Sequence, residues 1–318
     1  MQRLTIEELR ERSGEVAAAA LRTPGLSAFC SGPIWQLAAH DFLHDAAGRC
    51  GHLIVEEAGN WLIFARRAGD GVCFPFESSW MFSSPALGDP ERLAAMILDL
   101  PKHFPGPIAL CLGGIRRDGP LHEAIRRIKP LLARYREFAV TESMVIDLEE
   151  GVGGWLGRRS PKFRRNLRSA DKEDGIEIVE AGAGSTDDLF TRILAIQQQT
   201  YKWREHSDIF QSPGHAAFYR SLLKGLLGEG RLRLLFARRG GEDLAYILGG
   251  AAGDTYRGLQ MSYREEVRSL GLGNRLQLEN LRRCAAGGIV RYDLGMHSLY
   301  KDRWADRREE NTGIFLVL

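Results

Sequence analysis

The residues whose types and spacing could do chemistry concentrate in LQMSYREEVRSLGLGNRLQLENLRRC, residues 259–284. Within it, Arg268-Ser269-Leu270-Gly271-Leu272-Gly273 is an R-x-x-G-x-G run between a strand-like and a helix-like segment. Glycines in such a loop let the backbone approach a ligand closely and take angles closed to other residues. The loop amides can converge on an anion, and the N-terminus of the following helix adds positive potential. A pyrophosphate fits that chemistry; the plain alternative is a glycine-rich helix entry with no ligand. Two other phosphate loops do not fit. GxxxxGK[ST] occurs nowhere, and the dinucleotide pattern G-x-G-x-x-G fails because Leu276 stands where its third glycine belongs.

Other groupings carry weaker signals. Arg158, Arg159, Lys162, Arg164, Arg165, Arg168 and Lys172 make a strongly basic stretch, with Trp155, Leu156, Phe163 and Leu167 near one helical face. It reads as a solvated amphipathic helix, or more sharply as a contact for an anionic acceptor such as tRNA or an acidic glycan. Tyr201 with Trp203, and Trp80 with Phe82, read as core or as the wall of an acceptor pocket. His40 and His44 stand at helical spacing beside Asp41, but no third-ligand motif follows, so no metal is expected. A serine-hydrolase elbow G-x-S-x-G is absent.

The elements that must position these residues follow from punctuation and periodicity. Residues 1–48 read as helical pieces broken at Pro24-Gly25 and Gly32-Pro33. HLIVEEAGNWLIFARRAGDGVCFPF is a run of short strands; a helix from Asp89-Pro90 to about Leu100, a strand at PIALCLGG and a helix near Leu121 to Leu132 follow. SMVIDLEE, from Ser143, closes this half as a strand. The second half predicts a basic helix ending at Gly175, a strand IEIVEAG, and a helix from Asp187 to about His206 capped by Ser185. A helix from Ser212-Pro213 to Gly228 or Gly230 comes next, then three strands, RLRLLFARR, LAYILGGAA and TYRGLQMSY. A helix from Asn274 to about Cys284, a strand IVRYDLG, a short helix near Tyr300 and a strand IFLVL complete the chain. This is mixed α/β rather than a doubly wound parallel sheet. Its 318 residues favour two domains, cut here at Gly151-Val152-Gly153-Gly154 into 1–150 and 151–318.

Composition narrows the setting. A net charge of +2 gives no global polyanion-binding character. The five cysteines are scattered without a CxxC pair, which predicts a reducing, cytoplasmic compartment. The first residues lack an apolar signal-peptide core, and runs such as LAYILGG are too short to span a bilayer, so no membrane insertion is expected.

Arg268 to Gly273 resembles the acetyl-CoA signature of the GNAT acyltransferase superfamily, with Met261, Ser262 and Tyr263 where its splayed central strand ends. GNRLQLENLRRCAAGGIVRYDLGMHSLYKDRWADR resembles the C-terminal segment of the CelD/FemAB-like acyltransferases: a helix, Gly288, a strand ending Asp293-Leu294-Gly295, then Tyr300-Lys301. The basic run SPKFRRNLRSADKEDG is similar to that family's entry helix. The likeness spans roughly residues 143–318, with a fainter echo in SGPIWQLAAH. It implies two GNAT-like domains, each a mostly antiparallel sheet flanked by helices, the first degenerate and the second catalytic. It implies that Leu270, Gly271, Leu272, Gly273 and Asn274, with Arg268, hold the pyrophosphate of acyl-CoA. Leu259 to Tyr263 would pair with the pantetheine arm, and Tyr300 would protonate the leaving thiolate. The gap from strand end to Tyr300 is shorter than in ordinary small GNATs. His297 and Asp293 are candidates for the base, each with a structural alternative. The implied activity is direct transfer of an acetyl or other acyl group to an amine on a small or peptide-like acceptor. Alternatives are FemAB-like transfer from aminoacyl-tRNA, with tRNA as partner, and a non-catalytic ligand-binding protein.

Overall fold

The computed structural model describes residues 1–43, 50–171, 175–182 and 184–318. His44 and Lys172 lie outside the described residues. The chain folds as two compact units, Met1–Glu142 with Glu309–Leu318, and Ser143–Arg308.

The first unit opens with β1 (Gln2–Arg3) and four helices, α1 (Ile6–Glu11), α2 (Ser13–Arg22), α3 (Ala28–Ser31) and α4 (Pro33–Phe42). Then follow β2 (Cys50–Glu57), β3 (Asn60–Arg67), β4 (Cys73–Phe74), β5 (Ala86–Leu87), α5 (Pro90–His103), β6 (Ala109–Arg116) and α6 (Pro120–Arg127). The long strand β7 (Arg134–Asp147) contributes its residues up to 142 here and the rest to the second unit. Strand order in the first unit is β1-β2-β3-β4-β6-β13-β7, where β13 is the last strand (Arg307–Val317), and β4 with β6 is a parallel pair. Its core gathers Leu62, Phe64, Ile97, Leu110, Ile314 and Leu316 between sheet and helices.

The second unit continues with α7 (Gly151–Gly157), α8 (Pro161–Asp171), β8 (Glu177–Glu180), α9 (Thr186–Gln197), α10 (Tyr201–Arg204) and α11 (Pro213–Gly228). The meander β9 (Leu232–Arg239), β10 (Glu242–Ala252) and β11 (Thr255–Tyr263) leads into α12 (Leu272–Ala286) and β12 (Arg291–Met296). Its strand order is β7-β12-β11-β10-β9-β8, antiparallel except for β11 with β12. One core cluster packs Trp155, Phe163, Tyr256, Tyr292 and Trp304; another packs Leu235, Ile247, Leu272 and Leu276. Mixed α/β with mostly antiparallel sheets flanked by helices is the architecture the sequence predicts.

Element boundaries differ where local chemistry intervenes. The single basic helix is two, because Pro161 disfavours helical geometry at the residue before it and restarts the helix as α8. The helix expected to reach His206 stops at Gln197, and Thr200 caps α10 by accepting the Trp203 N–H. The strands at Ser143 and IFLVL begin earlier, at Arg134 and Arg307, where polar sequence hides the pairing. Among the described residues no helix is long and apolar enough to cross a membrane.

Candidate active site

The site is built on a fork between two strands. β11 pairs in parallel with β12 at only three positions, Thr255↔Arg291, Tyr256↔Tyr292 and Arg257↔Asp293, then runs on to Tyr263. On its other edge the register with β10 slips, from Leu248↔Gln260 to Gly249↔Gly258, so Leu259 is the extra residue of a bulge. A bulge raises local twist and redirects the strand, which here helps β11 leave β12. β12 turns away through Gly295, whose φ of 81° favours glycine. Gly249 is needed for a different reason: a Cβ there would lie 2.2 Å from the Tyr256 hydroxyl oxygen.

A buried ion pair sits at the last rung before the fork. Arg257 Nη1 donates to Asp293 Oδ2 at 2.7 Å, and Asp293 Oδ1 accepts the Gly295 N–H at 2.8 Å. Burial works against the charged carboxylate, but Arg257 and Arg291 outweigh it and hold Asp293 below its ordinary range. Both of its oxygens are engaged.

Two cavities line the opened edge. The first, about 330 Å³, is bordered by Gly258, Gln260, Met261, Leu294, Tyr300 and Lys301. The Tyr300 ring stands 6.1 Å from that of Trp304, and its hydroxyl is buried without a hydrogen bond among the described residues. Burial raises its pKa well above that of a free phenol, so it keeps its proton. Lys301 Nζ donates to the Met296 carbonyl at 2.7 Å. Burial first, then the charge of Arg257, lowers this amine to about 8, with Asp293 partly opposing. His297 lies apart, exposed, with Nε2 3.0 Å from Asp302 Oδ1.

The second cavity, about 520 Å³, shares Lys202 and Met261 with the first and is bordered also by Tyr201, Ser262, Tyr263 and Arg268. Arg204 borders it too and pairs with Glu265 at 2.7 Å. Arg268 belongs to a 3-10 turn, Glu265–Leu270, that ends at Gly271 with φ 65° and ψ 24°. That left-handed residue starts α12, which has no side-chain cap. The Asn274 N–H donates to the Gly271 carbonyl at 3.0 Å, while the N–H groups of Gly271, Leu272 and Gly273 have no partner among the described residues. Leu270 and Leu272 anchor the loop in the core. Unsatisfied amides at a helix N-terminus attract an anion.

The helix after the meander in the first unit is finished differently. Asp89 accepts the Arg92 N–H at 3.0 Å and gives its own N–H to Asn60 Oδ1 at 2.7 Å. The Gly88 N–H donates to Thr23 Oγ1 at 2.7 Å. These amides are satisfied internally, and the Asp89 carboxylate would repel a phosphate.

The basic stretch divides in two. Arg158 and Arg159 both pair with Asp306, and Arg159 Nη1 also donates to the Ala305 carbonyl at 2.8 Å, tying down the turn after Tyr300. Lys162, Arg165 and Arg168 are exposed on α8, while Phe163 and Leu167 are buried with Trp155. Trp80 stacks on Phe82 at 6.1 Å in the first unit, and Trp203 is half-buried. Arg257 and Lys202 are the residues that sequence reasoning missed. Lys301 enters it only as half of the Tyr300-Lys301 pair, without a role, since a lysine is seldom buried.

Residues 157–304 match the family described as "Acetyltransferase (GNAT) domain". No functionally curated protein matches the sequence. Among solved structures the chain is similar to FemX, at 13% identity and TM-score 0.72 over 99% of this chain and 97% of that one. It is similar to a conserved protein of unknown function from Bacteroides thetaiotaomicron, at 9% identity and TM-score 0.67 over 97% of each chain. L-PGS from Bacillus licheniformis matches at 12% identity and TM-score 0.57, over 94% of this chain and 90% of that one. The segment that matches the family lies within the second unit, which is therefore similar to a GNAT domain. The fold of the chain is similar to that of FemX.

Proposed function

We propose that the second unit is an acyltransferase active site that takes an acyl-coenzyme A in the β11–β12 fork and passes the acyl group directly to an amine. The acceptor is a small or peptide-like molecule. The observation that carries this reading is the fork itself: an opened strand edge that runs into an uncapped, glycine-started helix. In the Leu270–Asn274 loop the amides of Gly271, Leu272 and Gly273 hold the pyrophosphate, with Arg268 and Lys202 adding charge. Backbone groups from Leu259 to Tyr263, Met261 and Ser262 among them, pair with the pantetheine arm, and an N–H of this edge polarises the thioester carbonyl. Lys301, as the neutral amine, takes a proton from the acceptor's ammonium. The freed amine forms the new C–N bond as the C–S bond breaks; the Tyr300 hydroxyl gives its proton to the departing sulfur, and the surplus proton on the amide nitrogen passes back to the Tyr300 oxygen. Asp293 and His297 have no chemical step in this proposal, the one being ion-paired and the other exposed.

The helix after the meander in the first unit is capped by Asp89 instead, so one donor binds per chain. The scattered free cysteines suit work in the cytoplasm. Thermal-shift measurement with acetyl-CoA, longer acyl-CoAs and free CoA tests the donor. Ligand at 100 times its Kd stabilises by about 2.7 kcal/mol, and no shift with any of the three would remove the reading. A second reading, transfer from aminoacyl-tRNA, is favoured by the exposed Lys162, Arg165 and Arg168. Neutralising Arg164, Arg165 and Arg168 should leave CoA binding unchanged. Salt-sensitive tRNA binding that this triple change weakens would support the second reading instead.

A further inference from the structure

In the first unit, α4 and β2 bring two imidazoles together. His40 and His52 meet through their Nε2 atoms at 2.9 Å, with ring centres 5.0 Å apart. The other nitrogen of His40, Nδ1, lies 2.7 Å from Asp41 Oδ1, and Asp41 is in turn held by Arg10. An imidazole that gives its Nδ1–H to a carboxylate presents an Nε2 lone pair, the arrangement that metal-ligating histidines share. Both rings pack against Phe76, 4.9 and 5.9 Å from its centre, so the pair is half-buried on an apolar wall. The charges around it are the carboxylates of Asp41 and Glu7 and the guanidinium of Arg10.

We propose that His40 and His52 form the two-imidazole core of a binding site for a borderline divalent transition ion of the zinc class, with water in the remaining positions. Imidazole nitrogens about 2.0–2.1 Å from zinc at tetrahedral angles stand roughly 3.3 Å apart. The nitrogens therefore need to part by about 0.4 Å, and each ring must turn so that its lone pair points at the ion rather than at the other ring. His52 moves its proton from Nε2 to Nδ1, so both ligating nitrogens are bare and no net proton is released from neutral rings. Another histidine–carboxylate cluster among the described residues, Asp118, His122 and Glu123, is arranged differently. There Nδ1 of His122 already accepts the Asp118 N–H at 3.1 Å, and Nε2 is buried 3.3 Å from Glu137 with no hydrogen bond.

The test titrates the full chain with zinc chloride in a calorimeter at neutral pH. One zinc per chain is expected for the wild type and for His122→Gln, and none for His40→Gln or His52→Gln. Asp41→Asn should weaken binding by about 10–100-fold, the usual effect of losing a carboxylate behind a ligating histidine. Copper(II) added to the wild type gives a readout that needs no variant: paramagnetic resonance should show two nitrogen ligands. No zinc binding, equal binding by the wild type and the double His40→Gln/His52→Gln variant, or a one-nitrogen copper spectrum would overturn the proposal.

Discussion

Tyr300→Phe keeps the ring against Trp304 and removes only the buried hydroxyl. If that hydroxyl is the acid for the leaving thiolate, kcat should fall by roughly 10²–10⁴-fold with donor affinity unchanged. A fully active variant would leave Tyr300 a packing residue. Lys301 gives a pH signature. An amine at about 8 is mostly protonated at neutral pH, and the proposed base is its neutral form. Turnover should therefore rise with pH, half-complete near 8, and level off above; Lys301→Gln should lose that limb. A wild-type rate that is flat from neutral to alkaline pH would dismiss Lys301 as the base. At this scale the sequence was only partly legible. Glycine at Gly271 announces itself, because a left-handed residue before a helix is a local requirement. The lowered pKa of Lys301 is not local: it depends on burial and on Arg257, which lies 44 positions away by residue number.

Between β11 and β12 the Arg257–Asp293 pair marks where pairing ends. Asp293→Asn removes the carboxylate charge that faces buried Arg257, and removing one partner of a buried ion pair costs about 3–5 kcal/mol. Urea denaturation should register that loss, and an unchanged midpoint would show that the pair does not hold the fork. The acid dependence has a definite sign. The carboxylate's folded pKa is lowered, so its contribution is full above the ordinary carboxylate range and fades as pH falls, from about pH 4 downward. Asp293→Asn should lack that part of the acid sensitivity. The strands themselves were legible from alternation and turn glycines. The bulge at Leu259 and the early parting of β12 were not, because register depends on the partner strand. Arg158 and Arg159 show the same limit: read along the chain they belong to a basic surface, yet Asp306 claims both.

The last ten residues return to the first unit, where β13 pairs with β6 from Asn311↔Arg116 to Val317↔Ala109. Ile314 and Leu316 are fully buried there, and each contributes about 1.5–3 kcal/mol of burial. A chain ending at Arg308 should expose residues 109–116 to rapid hydrogen exchange, and unchanged protection of β6 would contradict this role for β13. Contiguous reading placed the whole C-terminal stretch with the catalytic half, since a strand's sheet partner leaves no mark on its own residues. The central claim is that a single acyl-CoA site is formed by the fork and the Gly271 loop. Calorimetric titration with CoA tests it most directly, on the wild type and on Gly271→Val. Valine at φ 65° costs about 1–2 kcal/mol, too little to unfold the unit, and crowds the loop amides. The wild type should bind one CoA per chain, and Gly271→Val should remain folded and bind none. No heat from the wild type at millimolar CoA, or undiminished binding by folded Gly271→Val, would contradict the account.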